Sequence, residues 1–182
     1  ASDVYKRQVL EQVGVLLELK GANPFRVRSY QNASRTLGGL EEDLWTVTSE
    51  NRLTEVKGIG KGIAGLITEA LTEGTWGEIG NLFTEVPQGL IQMLAIPGLG
   101  PKRIKQFHDE LGIESIEQLK VAAEDEQLRD LDRMGAKSEQ KVLDGIELLK
   151  RFSGKRRLDV GLLYGQALET QITSMRGVHR AQ

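Results

Sequence analysis

Two short stretches of this sequence have the make-up of an anion cradle: Val56-Lys57-Gly58-Ile59-Gly60-Lys61-Gly62 and Ile96-Pro97-Gly98-Leu99-Gly100-Pro101-Lys102-Arg103. Each sets an aliphatic residue between two glycines and follows it with cationic side chains. A glycine pair admits backbone angles closed to other residues, so the chain can reverse in a tight hairpin. It also removes the side chains that would hold a phosphate away from the backbone. Where a helix follows, its first amides have no intrahelical partner and its dipole is positive. The predicted chemistry is therefore non-covalent: backbone N–H groups capture a phosphate oxygen. The aliphatic residue, Ile59 or Leu99, should point inward and lock the flanking helices. Lys61, Lys102 and Arg103 fall in the first helical turn, against the dipole, where a bound phosphate would offset the cost. The expected phosphate contacts are Gly58, Gly60, Lys61, Gly62, Gly98, Gly100, Lys102 and Arg103. Such contacts carry no base-sequence information. They also make binding salt-sensitive, with a log–log slope of about −0.9 per phosphate neutralised.

The elements that must position these corners read as helices. Val9, Leu10, Val13, Leu16 and Leu17 recur at helical spacing. Asn23-Pro24 gives a cap followed by proline at the first helical position. Phe25, Tyr30, Ala33 and Leu37 form the apolar stripe of the next helix, which Gly38-Gly39 should end. Leu44, Trp45 and Val47 predict a short third element. An internal repeat follows: the pattern from Leu53 to Ala64 returns from Leu94 to Ile104, with its glycines 40 residues later. Each copy predicts a short helix, a Gly-aliphatic-Gly turn and a longer amphipathic helix. A third copy, Leu128 to Ser138, is damaged: Gly135 stands at the second glycine position, but Arg133 replaces the first. Ser115-Ile116-Glu117-Gln118 is a capping box that opens a helix through Ala123. No strand precedes either glycine pair and Gly-x-Gly-x-x-Gly is incomplete, which excludes a dinucleotide fingerprint. No sheet is expected before Leu158.

The chain has 182 residues, room for one domain or two small ones. Its hydrophobic content of 39 % and charged content of 27 % are those of an ordinary globular protein. The net charge of −2 argues against a broad electrostatic glove, so anion binding must be local. Lys20, Arg26, Arg28 and Arg35 cluster early, and Lys150, Arg151, Lys155, Arg156 and Arg157 form a late basic run. The absence of cysteine excludes disulfides and thiolate metal sites. No apolar run approaches the ~18–20 residues that span a bilayer, so no membrane segment and a cytoplasmic location are expected. Asp3-Val4-Tyr5-Lys6-Arg7-Gln8 resembles the translation of a transposon adapter, and residues 1–8 are set aside as a scar. Gly177 to Gln182 stops without a helix cap, and the natural protein is expected to continue in both directions.

Lys20 to Tyr30, Val56 to Ala64, Val86-Pro87-Gln88-Gly89-Leu90 and Ile96 to Lys102 together resemble the N-terminal part of a bacterial family X DNA polymerase. The resemblance runs from Val9 to Gln182. It implies a lyase-like helix-hairpin-helix domain over 9–84, holding the downstream side of a gap. It implies a fingers-like helix-hairpin-helix domain over 85–152, holding the primer strand. A linker and the truncated start of the α/β nucleotidyltransferase palm would occupy 153–182. It further implies a monovalent cation, K+ or Na+, on hairpin carbonyls at Lys57 and Ile59 and at Ile96 and Leu99. Magnesium belongs only to the missing palm. Two departures stand out. The Schiff-base lysine of lyase-active relatives aligns with Leu66, which has no amine; Lys57 and Lys61 are poor substitutes, so no efficient lyase activity is expected. The chain also stops before the Gly-Ser motif and carboxylates of the polymerase site, so no catalytic residue is assigned. Asp130-Leu131-Asp132 reads as surface charge.

Lys20, Arg26, Arg28 and Tyr30 suggest a pocket for a DNA 5′ end, since arginine matches phosphate geometry in a bidentate fashion. Phe25 and Tyr30 read either as stacking platforms beside those arginines or as core. Trp45, Trp76, Phe83 and Tyr164 read as core, and His108 and His179 as surface or boundary residues. The fold class is all-α: two helical subdomains with helix-hairpin-helix motifs, then the start of an α/β domain. The reading is a monomeric, non-sequence-specific binder of gapped or primer-template DNA within a bacterial, nucleoid-associated polymerase of base-excision or break repair. A non-enzymatic tandem hairpin module, of junction-binding or helicase-accessory type, is the alternative. A stand-alone lyase is a third reading, which Leu66 disfavours.

Overall fold

The structure is a computed structural model, and it describes residues 2–74 and 76–153. The described residues form helices and short 3-10 turns, with no strand among them. The expected palm start, with Tyr164 and His179, lies outside the described residues. No helix among the described residues is long and apolar enough to cross a membrane. The chain divides into two compact units at Phe83–Thr84.

In the first unit, α1 (Ser2–Lys20) packs along α2 (Pro24–Gly38). α1 begins inside the stretch set aside in the sequence, and the Arg7 carbonyl accepts a hydrogen bond of 3.0 Å from Ser34. Val9, Leu10, Val13, Leu16 and Leu17 are all buried, so their helical stripe does form the core face. The two helices approach closely at Gly14, where an added Cβ would meet Gln31 Cγ at 3.2 Å. Asn23 caps α2: its side chain accepts from Phe25 N at 2.9 Å, with Pro24 at the first turn. The stripe of α2 differs from the expected one. Val27, Tyr30, Ala33 and Leu37 are buried, whereas Phe25 is 76 % exposed. Five residues separate Phe25 from Tyr30, which turns it roughly 140° away on a 3.6-residue helix. α3 (Leu44–Ser49) buries Leu44 and Val47 and is capped by Asp43. Trp45, expected in the core, is 52 % exposed because it sits one position off that face. Trp76 is buried as expected. A 3-10 turn at Leu53–Glu55 leads into the first hairpin and α4 (Lys61–Thr72).

The second unit follows α5 (Leu82–Glu85), which spans its boundary. It comprises α6 (Gln88–Met93), α7 (Pro101–Leu111), α8 (Ile116–Glu124) and α9 (Ala136–Ser153). Its core is Leu90, Ile91, Met93, Ile96, Ile104, Phe107, Leu119, Leu128 and Ile146. Ser115 caps α8 by accepting from Gln118 N at 3.2 Å, and the Gln118 side chain accepts from Glu114 N at 2.7 Å. Glycine is required at two contacts. A Cβ on Gly89 would lie 1.7 Å from the Glu114 carbonyl, and one on Gly145 would lie 2.9 Å from that of Pro97. α9 therefore rests directly on the second hairpin.

The damaged third repeat folds as a hairpin too, between a 3-10 turn at Leu128–Asp130 and α9. Glu139 braces it from inside. Its carboxylate, only 3 % exposed, accepts from Arg129 N at 3.0 Å, Arg129 Nε at 2.9 Å and Arg129 Nη2 at 2.8 Å. The paired carboxylate in turn holds the Arg129 guanidinium firmly in its charged form. Removing Glu139 leaves the Arg129 amide and Nε without their acceptor, and only Glu126, 2.9 Å from Nη1, still pairs with the guanidinium. Glu139→Ala should therefore lower stability by about 2–3 kcal/mol, read by urea unfolding; an unchanged midpoint contradicts this role.

Candidate nucleic-acid interface

The hairpins share one turn. The amide of the middle residue donates to the carbonyl three residues back: Ile59 N to Val56 O at 3.0 Å, Leu99 N to Ile96 O at 3.1 Å and Met134 N to Leu131 O at 3.0 Å. The residue just before it has positive φ in each case: 99° at Gly58, 80° at Gly98 and 56° at Arg133. The residue just after it accepts the first helical bond, from Ala64, Ile104 and Glu139 respectively. Ile59 and Leu99 are buried, as their place between glycines predicts.

The two glycines of each pair do different work, which corrects the sequence reading. Gly58 and Gly98 occupy the left-handed region that disfavours a side chain. Gly60 and Gly100 do not. Their φ values of −84° and −99° with ψ of 167° are ordinary extended backbone. An added Cβ on either meets nothing within 4 Å. The second glycine thus keeps open the space in front of the helix end, and the first makes the turn.

That open space leads to exposed backbone. Gly60, Lys61 and Gly62 are exposed, and Gly60 offers α4 no side-chain cap. The amides that open a helix have no intrahelical acceptor. The second hairpin offers fewer donors. Pro101 at its first helical position has no N–H, and Arg103 N already donates to Gly100 O at 3.1 Å.

The first corner continues into a groove of about 690 Å³. Arg26, Ser29 and Tyr30 of α2 line one side; Gly60, Lys61, Gly62, Gly65 and Leu66 line the other. Residues 62, 65, 66 and 69 share one face of α4. With glycine at 62 and 65, and nothing near an added Cβ at either, the backbone is uncovered there, while the Leu66 and Glu69 side chains line the rest of that face. Leu66 is half-buried and lines the groove.

Of the residues expected to form a 5′-end pocket, Arg26 and Tyr30 line this groove, while Lys20 and Arg28 are outside its lining. Tyr30 is buried, with one edge toward the groove. Arg28 instead lies over the exposed Phe25 ring, 5.7 Å from its centroid. Ser29 was missed, although it follows Arg26 at helical spacing. Thr36 was also missed: its hydroxyl donates to the Lys57 carbonyl at 3.1 Å and sits against Gly58.

In the second unit Lys102 is exposed, but Arg103 is half-buried. Its guanidinium donates to Gln106 Oε1 at 2.6 Å, to Asp132 O at 3.1 Å and to Arg133 O at 3.3 Å. Asp130 and Asp132 are exposed, in line with surface charge. His108 is half-buried, with Nδ1 3.3 Å from the Ile113 carbonyl. No group of acidic, histidine or cysteine side chains able to hold a metal occurs among the described residues.

Residues 7–76 match the helix-hairpin-helix domain family, and residues 90–147 match the SAM-like helix-hairpin-helix tandem family. The tandem match includes the third hairpin. The chain is 37 % identical over 139 residues to the DNA polymerase/3′-5′ exonuclease PolX of Bacillus subtilis (strain 168). That match covers 76 % of this chain and 24 % of the relative, so the chain spans about a quarter of its length. With the resemblance read from Asn23–Tyr30 and the two glycine corners now met by both matches, the chain belongs to family X of the DNA polymerases, as a piece of its helix-hairpin-helix region.

Proposed function

We propose that this chain is the DNA-holding part of a gap-filling polymerase. It binds DNA through backbone amides and flanking cations at its glycine corners, without reading sequence. The observation that carries this is the open approach to the first turn of α4, where Gly60, Gly62 and Gly65 leave the backbone uncovered beside Lys61. Phosphates are the ligand that such a surface favours. Gly58, Gly60, Lys61 and Gly62 serve one strand, and Gly98, Gly100 and Lys102 serve another segment.

The groove beside the first corner suits a DNA 5′ end, with Arg26 and Lys61 supplying charge. Phe25, held by Arg28 on the exposed face of α2, offers a stacking platform. Gapped duplex and primer-template are thus the preferred substrates, the chain acts as a monomer, and its place is the bacterial cytoplasm, on repair intermediates. A monovalent cation fits the hairpin carbonyls. Lys57 O and Ile96 O each already accept one hydrogen bond, and a carbonyl oxygen retains a second lone pair. No efficient lyase activity is expected, because Leu66 lines the groove at the position aligned with the relatives' lysine, and Lys57 and Lys61 are poor substitutes.

Affinity for a gapped duplex should fall steeply between low and moderate salt. Gly60→Val and Gly100→Val should fold normally, since both backbones are extended and unobstructed, yet each should weaken binding by about tenfold or more. Gly58→Val, at φ +99° with Thr36 Oγ1 2.8 Å from the new Cβ, should instead lower the melting temperature. Wild-type affinity in both extended-glycine variants would refute the phosphate reading. Borohydride treatment with an abasic-sugar substrate should yield no trapped adduct; a strong adduct would contradict the role given to Leu66.

A further inference from the structure

We infer that Arg103 is a positioning residue that couples the second hairpin to the third, and that Arg133 is a further DNA-backbone ligand presented by that coupling. The inference rests on the DNA-binding reading above and extends it to a part of the molecule whose sequence looks degenerate.

Arg103 has the type and position of a phosphate ligand, yet its guanidinium is already engaged. It spans from α7 to the carbonyls of Asp132 and Arg133, at 3.1 and 3.3 Å. Gln106, one turn on, donates to the same Asp132 carbonyl at 3.3 Å and accepts from Arg103 at 2.6 Å. Two side chains of α7 thus hold the turn of the third hairpin by its backbone. A planar guanidinium that bridges two successive carbonyls fixes orientation as well as distance.

The consequence is a groove of about 700 Å³ lined from both hairpins, by Gly100, Lys102 and Arg103 on one side and Arg133 on the other. Arg133 keeps the positive φ of the glycines it replaces, and its side chain is 83 % exposed. Its partner is Asp132, at 3.6 Å and 84 % exposed. A pair so exposed is worth little and exchanges readily for a phosphate. Lys105, also on the groove, is paired with Asp109 on its own helix. The acidic Asp109, Glu110 and Asp132 on its walls confine the anionic ligand to the line between Lys102 and Arg133. One backbone phosphate is assigned to Lys102 and another to Arg133.

The test is the salt dependence of the full chain on a gapped duplex, for R133Q, R103M and the double variant, with melting curves as the folding control. Each phosphate that the protein no longer neutralises reduces the log–log slope by about 0.9. We expect R133Q and R103M each to reduce it by that amount, and the double variant to reduce it no further, because both act on the same phosphate. If Arg103 bound a phosphate of its own, the double variant would reduce the slope by about 1.8, which overturns the positioning role. R133Q alters an exposed side chain, so an unchanged slope in that variant overturns the inference even if R103M fails to fold. If the unaltered chain shows no binding at all, the DNA-binding reading falls first, a result distinguishable from these.

Discussion

One hydrogen bond organises this protein: the amide of a turn's middle residue closing on a carbonyl three positions earlier. That bond places the middle side chain inward, where Ile59 and Leu99 are buried. In the three hairpin turns the preceding residue takes positive φ, and at Gly60 and Gly100 the following residue is extended at the mouth of a helix. Turn, core contact and exposed helix end are therefore a single geometric unit. At the first two hairpins it gives a core anchor and an uncovered helix end together. A buried aliphatic residue of modest size thereby sets the position of amides on the other side of the backbone.

The sequence showed this unit clearly where glycine marks it and poorly where it does not. Gly58 and Gly98 signal the left-handed position because few other residues tolerate it. Arg133 holds the same conformation at a cost of about 1–2 kcal/mol, and it is carried by tertiary support that no local pattern displays. That support includes Arg103 and Gln106 on its turn's carbonyls and the Arg129–Glu139 pair below it. The role of Gly60 and Gly100 was likewise invisible as conformation, because their angles are ordinary and only the surrounding empty space reveals it. Helix existence and two of the caps were legible, since Asn23 and Ser115 act locally, whereas the Asp43 cap was missed. Facing was less so. Phe25 and Trp45 are apolar, but register, set by Tyr30 and Leu44, turns both outward.

The early basic cluster was legible only in part, for the same reason. Arg26 and Tyr30 reach the groove because they are four apart on one helix. Arg28 belongs to the stripe of Phe25 instead, where it covers the ring. Helix geometry thus splits the cluster into a groove-lining part and a surface platform. The two units also use the shared turn differently. The first pairs its turn with a glycine-bare helix face, and the second pairs one turn with another. A net charge of −2 is compatible with both, since each needs only a few cations placed against a fixed backbone.

The most direct test of the account is a titration of the nitrogen-15-labelled chain with gapped duplex, following backbone amide resonances. The account predicts that the largest shifts fall on Gly60, Lys61, Gly62 and Lys102, and that they diminish together as salt is raised. Saturating DNA that leaves those four amides unmoved, while shifting others, would contradict it.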